Sequence, residues 1–235
     1  MNILITGTSS GIGSGLAHEF LKRRVEVYGI SRRGNDELSA KTNFHHLQLD
    51  LTNTEDLHQK LPKFLEGLKT FDLVILNAGI LGEIRYMNEV SVKDMKRVME
   101  INVWANKHLL DLLFSLKIEI KQVVGMSSKA ALRSSPGWGS YSLSKAALDM
   151  LMDIYAKEYP ETHFSAFAPG LVDSEIQDII YDIKDVEKYP SAKTLQSARY
   201  TDEMPDAYTA APMLIAGMVK VLKYKSGSHV DVREI

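Results

Sequence analysis

Two pairs of residues repeat a spacing with chemical consequences: Tyr141 with Lys145, and Tyr189 with Lys193. On a helix, positions i and i+4 put the phenol and the ammonium on one face. A free tyrosine, with a pKa near 10, is a poor acid or base at neutral pH. A neighbouring ammonium favours the phenolate and lowers that pKa. A tyrosine tuned this way can exchange a proton with a carbonyl or alcohol oxygen. Context separates the two pairs. Tyr141 opens the apolar-periodic stretch Ser142-Leu143-Ser144-Lys145-Ala146-Ala147-Leu148, whereas Tyr189 is followed at once by Pro190 in an irregular segment. The second pair also has Ile176 where a partner serine is expected, and is read as coincidence. For Tyr141 that partner is Ser128, 13 residues ahead, whose hydroxyl can hold the same oxygen as it gains negative charge. Ser127 is read as support for the loop.

A second chemical feature lies near the N-terminus, in Thr6-Gly7-Thr8-Ser9-Ser10-Gly11-Ile12-Gly13. A glycine turn between a strand and a helix lets backbone N–H groups approach a pyrophosphate, and the helix N-terminus adds partial positive charge. Gly7 makes the tight turn, Gly11 allows close approach, and Gly13 lets the helix pack on the strand. The spacing is not the G-x-G-x-x-G of the standard dinucleotide fingerprint. The following strand ends in Ser31-Arg32-Arg33, with no carboxylate until Asp36. An acid there would bind the ribose 2′-OH of NAD, and an arginine accepts the 2′-phosphate of NADP. Arginine holds a phosphate through paired hydrogen bonds and Ser31 can add another, so the sequence favours NADP(H). Asp50, beside Leu51, is either an adenine partner or a capping signal for the next helix.

These residues need a scaffold, and the chain supplies a regular one. Short apolar runs at Asn2–Thr6, Val25–Ile30, Phe44–Leu49, Asp72–Leu76, Ile120–Met126, His163–Ala168 and His229–Arg233 read as strands. Between them, Gly11–Arg23, Thr54–Leu68, Ser91–Leu116, Gly139–Glu158 and Asp206–Leu222 read as helices. Alternating strands and helices imply one α/β domain built on a doubly wound parallel sheet of about seven strands, with helices on both faces. Leu171–Met204 breaks the rhythm and is read as a substrate loop or lid. With 235 residues and 45% hydrophobic content, the chain can bury a full core. A formal charge of −2 gives no electrostatic case for nucleic acid. No apolar run is long enough to span a membrane. Zero cysteines exclude disulfides and thiolate chemistry. The opening Met1-Asn2-Ile3-Leu4 enters a strand with no signal peptide ahead of it, so the expected location is cytoplasmic.

Taken together, Thr6-Gly7-x-x-x-Gly11-x-Gly13, Asp50, Asn77-Ala78-Gly79, Asn102, Ser128, Tyr141-x-x-x-Lys145 and Pro169-Gly170 resemble the short-chain dehydrogenase/reductase family. They occur in family order over residues 1 to about 175. The resemblance implies a Rossmann fold, with Asn77-Ala78-Gly79 stabilising the sheet beside the cofactor. It implies that Asn102 places a water linking Lys145 to solvent as a proton relay. It implies that the segment after Pro169-Gly170, including Val172, contacts nicotinamide and covers substrate. Many members carry threonine there; this chain has Val172-Asp173-Ser174, and Ser174 is the candidate replacement. Within the family, Pro169–Gln177 and Ser226–Val232 resemble sepiapterin reductases and benzil reductases. That likeness makes Asp173 a candidate substrate anchor; the alternative is that it caps the helix beginning near Glu175.

The expected activity is NADPH-dependent reduction of a small ketone or dicarbonyl. Two other readings stand beside it: a regulatory or signalling NADP(H) binder without turnover, and an NAD-dependent alcohol dehydrogenase of the same fold. Trp138 either lines the substrate pocket or packs beneath the loop, and Tyr181, Tyr189 and Tyr200 carry the same alternative. The seven histidines have no paired spacing, and no metal site is expected. Leu143, Ala146, Ala147, Met150 and Ile154 make the outer face of the Tyr141 helix apolar. A helix apolar on both faces is buried on both, so a homodimer or homotetramer is expected.

Overall fold

The computed structural model describes residues 1–235. Seven strands form one parallel sheet, in the spatial order Phe44–Gln48, Glu26–Ser31, Asn2–Thr6, Leu73–Leu76, Gln122–Met126, His163–Ala168, His229–Asp231. Their apolar runs are buried because helices cover both faces. The helices Gly11–Lys22 and Ala207–Lys220 pack on one face, in a core of 25 buried residues. Ala105–Ser115 and Gly139–Glu158 pack on the other, in a core of 23. Cores of nearly equal size on the two sides are what a doubly wound sheet requires. The order reverses at Asn2–Thr6, which lies between Glu26–Ser31 and Leu73–Leu76. In such sheets ligands bind outside the carboxyl ends of the strands at this switch point.

The expected elements recur with local differences, among them an unexpected short helix at Asp36–Ser39 and a last strand that ends at Asp231. The run Ile120–Met126 divides: Glu119–Ile120 pairs with Thr70–Phe71 in a separate two-stranded ladder, and the main strand starts at Gln122. The helix expected over Thr54–Leu68 stops at Phe64. The helix expected over Ser91–Leu116 is Val92–Met99 and Ala105–Ser115, joined by a π-helical turn at Glu100–Trp104. The segment Leu171–Met204 is not irregular throughout. It holds two short helices, Glu175–Tyr181 and Pro190–Ala198.

Candidate active site

The Tyr141 helix runs from Gly139 to Glu158, as its apolar period requires. Its inner face buries Lys145, Leu148 and Met152 against the sheet. Tyr141 lies in the first turn and Lys145 one turn on, with the ammonium 5.5 Å from the phenol ring centroid. Lys145 Nζ donates to the backbone carbonyl of Met126 at 2.6 Å, at the end of a central strand. Ser128 follows that strand end. Its Oγ accepts from the Ala130 N–H at 3.1 Å, and Ser128 shares a cavity wall with Tyr141.

The electrostatics differ from the simple expectation that Lys145 lowers the Tyr141 pKa. Burial pushes the Tyr141 phenol up to about 12, with the nearby Ser128 hydroxyl opposing. Burial also pushes Lys145 down to about 8, while the Asp149 carboxylate opposes that shift. Desolvation disfavours both charged forms, the phenolate and the ammonium. Tyr141 therefore holds its proton at neutral pH.

Asn102 sits in the π-helical turn and is completely buried. Its Oδ1 accepts from the Ile80 N–H at 2.8 Å, and its Nδ2 donates to the Ile80 carbonyl and to Ser144 Oγ, both at 2.9 Å. These bonds tie the loop after Asn77-Ala78-Gly79 to the Tyr141 helix. A Cβ on Gly79 would lie 3.1 Å from Asn102 Oδ1 and 3.6 Å from Lys145 Nζ, so these groups share one small space. Asn77 Nδ2 donates to the Thr6 carbonyl at 2.9 Å, joining the adjacent central strands.

Two cavities meet at Tyr141. The first, of about 230 Å³, runs over the carboxyl ends of the strands from Arg32 and Arg33 to Lys145. Its wall includes Gly7, Ser9, Ser10, Gly11, Ile12, Ser31, Asp50, Leu51, Asn77, Ala78, Gly79, Pro169 and Ser174. Thr8 and Gly13 lie beneath it: Thr8 is buried and its Oγ1 is 3.3 Å from Ser31 Oγ. A Cβ on Gly13 would stand 2.2 Å from the Gly7 carbonyl oxygen, so only glycine permits the tight turn. Gly7 itself has φ +76°, the left-handed region. A helix N-terminus behind a turn of glycines and small hydroxyl residues fits a pyrophosphate, and these residues could hold a dinucleotide. Within that wall the Ser31 hydroxyl donates to the Arg33 carbonyl at 2.7 Å. Arg33 pairs with Glu175 of the helix Glu175–Tyr181 at 3.1 Å, whereas Arg32 makes no ion pair. Asp50 Oδ1 accepts from the Thr52 N–H at 3.0 Å, and the next helix is capped by Asn53.

The second cavity, of about 390 Å³, lies between Ser128 and the helices Glu175–Tyr181 and Pro190–Ala198. Gly170, Val172 and Trp138 line it together with Tyr141. Trp138 does both things the sequence left open: it faces this cavity and packs with Leu81, Ile180, Tyr189 and Ala192. Tyr189 is buried in that cluster, while its apparent partner Lys193 is exposed and pairs with Glu187 at 2.8 Å. Tyr181 and Tyr200 flank the Arg199 guanidinium at 5.3 and 5.0 Å. Asp173 neither caps the helix nor lines either cavity. Its Oδ1 accepts from Arg199 Nε at 3.0 Å, and the N-cap position belongs to Ser174.

Asp149 is the neighbour that sequence reasoning passed over. It receives a short hydrogen bond from Ser127 and holds His229 Nδ1 at 2.7 Å. The signal was present, since Asp149 follows Lys145 by four positions on the same helix face.

The comparisons agree with this geometry. The sequence profile of the short chain dehydrogenases matches residues 1–183. The chain belongs to this family. Its relatives include the benzil reductase ((S)-benzoin forming) of Bacillus subtilis, 30% identical over 98% of each chain. They also include the sepiapterin reductase of Mus musculus, 32% identical over 97% of this chain and 95% of that one. The crystal structure of a short chain dehydrogenase/reductase from Saccharomyces cerevisiae shares the fold, with a TM-score of 0.85 at 24% identity, covering 98% of this chain and 95% of the other. Family membership makes the protein an oxidoreductase that uses a nicotinamide cofactor and acts on CH–OH or C=O groups.

Proposed function

We propose that the protein is an NADPH-dependent carbonyl reductase acting on a small ketone or dicarbonyl. The observation that carries this reading is the position of Tyr141 in the wall shared by the two cavities. A nucleotide in the first cavity and a carbonyl compound in the second would meet at a single proton-bearing phenol. The cofactor, when bound, supplies a hydride to the carbonyl carbon. Tyr141 donates its proton to the carbonyl oxygen, giving the alcohol. The raised Tyr141 pKa suits this direction, because the phenol stays protonated until the oxygen needs it. Ser128 holds the same oxygen and stabilises the charge it gains. Lys145 places a positive charge beside the phenol, and Asn102 supports proton delivery by fixing the loop at Ile80 against the Tyr141 helix.

Arg32 and Arg33 support NADPH over NADH. Both border the first cavity, and no carboxylate stands at the end of their strand to take a ribose 2′-OH. Arg32, with no partner of its own, is the more available to a 2′-phosphate. The expected location is the cytoplasm, and the expected assembly is a homodimer or homotetramer through the outer face of the Tyr141 helix. The test is loss of NADPH absorbance with a panel of vicinal dicarbonyls, beside NADH controls. Turnover favouring NADPH is expected. Nucleotide binding without turnover of any carbonyl would instead support a regulatory binder.

A further inference from the structure

The second cavity carries an unbalanced set of charges. Lys129, Arg133 and Arg233 are the only charged residues in its wall, and no carboxylate lines it. The whole chain has 30 acidic and 28 basic residues, so this wall departs from the balance of the molecule. Arg233 is neutralised from behind by Asp231, its Nε donating to Oδ1 at 2.8 Å. Lys129 and Arg133 have no such partner. Two cations nearby are paired, by contrast: Lys188 with Glu89, and Arg199 with Asp173 and Asp178. Trp138 is 9% exposed, and its indole N–H has no acceptor. The unpaired charged and N–H groups of the wall are thus all donors. The two short helices contribute apolar Ile176, Ile180 and Leu195 to the wall, beside neutral Gln177, Ser191 and Thr194.

The two free cations are also close in the chain to the carbonyl position. Lys129 directly follows Ser128, and the Arg133 N–H donates to the Lys129 carbonyl at 3.1 Å. One loop therefore presents the hydroxyl that would hold the carbonyl oxygen and the two charges beside it. An arginine fork matches a carboxylate in shape as well as charge.

We propose that the preferred substrate is a keto acid, with an apolar body against the lid and its carboxylate at Lys129 and Arg133. This rests on the reductase reading and narrows its substrate class. The carbonyl carbon receives the hydride, the carbonyl oxygen receives the Tyr141 proton, and the carboxylate passes through unchanged in the hydroxy acid product.

The experiment compares kcat/KM with NADPH for benzoylformate and 3-benzoylpropionate, each against its own methyl ester, in the wild type, Lys129→Gln and Arg133→Gln. The wild type is expected to favour at least one acid over its ester by about tenfold or more, mainly through KM, the scale of one charge-assisted hydrogen bond. That ratio is expected to fall toward one in Arg133→Gln and to shrink with added salt. Esters turned over as well as or better than both acids by the wild type would overturn the keto acid proposal alone. So would an acid-to-ester ratio that neither variant moves. No turnover of acids, esters or vicinal dicarbonyls by NADPH-bound protein would overturn the reductase reading, and this one with it.

Discussion

At the scale of single residues, the site rests on two groups whose ionisation burial has shifted in opposite directions. Tyr141 is held protonated, and Lys145 sits near the edge of losing its charge, at about 8. Asp149 is what keeps that lysine from falling further. Lys145 carries its positive charge below its pKa and loses it above, so turnover is expected to decline on the alkaline side of about pH 8. Asp149→Asn removes the opposing charge, lowers the Lys145 pKa and should move that decline to lower pH. A pH profile of kcat/KM for the two proteins checks this, and coincident alkaline limbs would exclude Asp149 from the role. Arg32→Ala is expected to reduce the preference for NADPH over NADH by roughly ten- to a hundredfold, the worth of charge-assisted bonds to a phosphate. An unchanged ratio of the two kcat/KM values would mean that the 2′-phosphate is held elsewhere. Tyr141, Lys145, Ser128 and the glycine turn were visible in the sequence because their spacing is local and tied to a helix or strand end. Asp149 was equally local but had no motif to mark it. Arg199 was not legible, because its partners Asp173 and Asp178 lie 26 and 21 positions away and are brought together only by the folded lid.

At the scale of elements, the strands and long helices were legible because parallel strands covered on both faces must be apolar throughout, and amphipathic helices must repeat near 3.6. The π-helical turn at Glu100–Trp104 was not. Five residues of wider helix shift the apolar pattern too little to stand out in a stretch as long as Ser91–Leu116. Yet that turn carries Asn102, in keeping with the tendency of such turns to mark functional positions. The lid helices were missed because they are short, seven and nine residues, and only part of each is buried. Arg199 secures them: its side chain, 9% exposed, joins Asp173 to Asp178 of the first lid helix between two tyrosine rings. A tight backbone constraint lies at the other end of the site, where the first helix meets the glycine turn. Gly13→Ala would drive a methyl group against the Gly7 carbonyl oxygen and the Asn77 amide. A loss of about 1–3 kcal/mol is expected from such overpacking, with weaker NADPH binding, readable by denaturant melts and nucleotide titration. Unchanged stability and affinity in this variant would show that the turn can yield.

At the scale of the whole molecule, one surface is left unfinished. Leu143, Met150 and Ile154 on the outer face of the Tyr141 helix are 50%, 58% and 42% exposed, and Trp104 on the neighbouring π-helical turn is 43% exposed. The opposite face of the same helix carries Tyr141 and Lys145. Covering the outer face with a second subunit would therefore brace the Tyr141 helix as well as bury apolar surface. Ala147→Glu places a charge in that face and is expected to lower the oligomer mass measured by light scattering; an unchanged mass would move the interface elsewhere. The central claim, that a nucleotide and a carbonyl compound meet at the Tyr141 phenol, is tested most directly by Tyr141→Phe. The measurement is NADPH oxidation with a vicinal dicarbonyl, paired with NADPH binding by titration, in the variant and the wild type. The account predicts unchanged folding, retained NADPH binding and turnover reduced by about a hundredfold or more, the scale of a lost general acid. Turnover at the wild-type rate in Tyr141→Phe would contradict it.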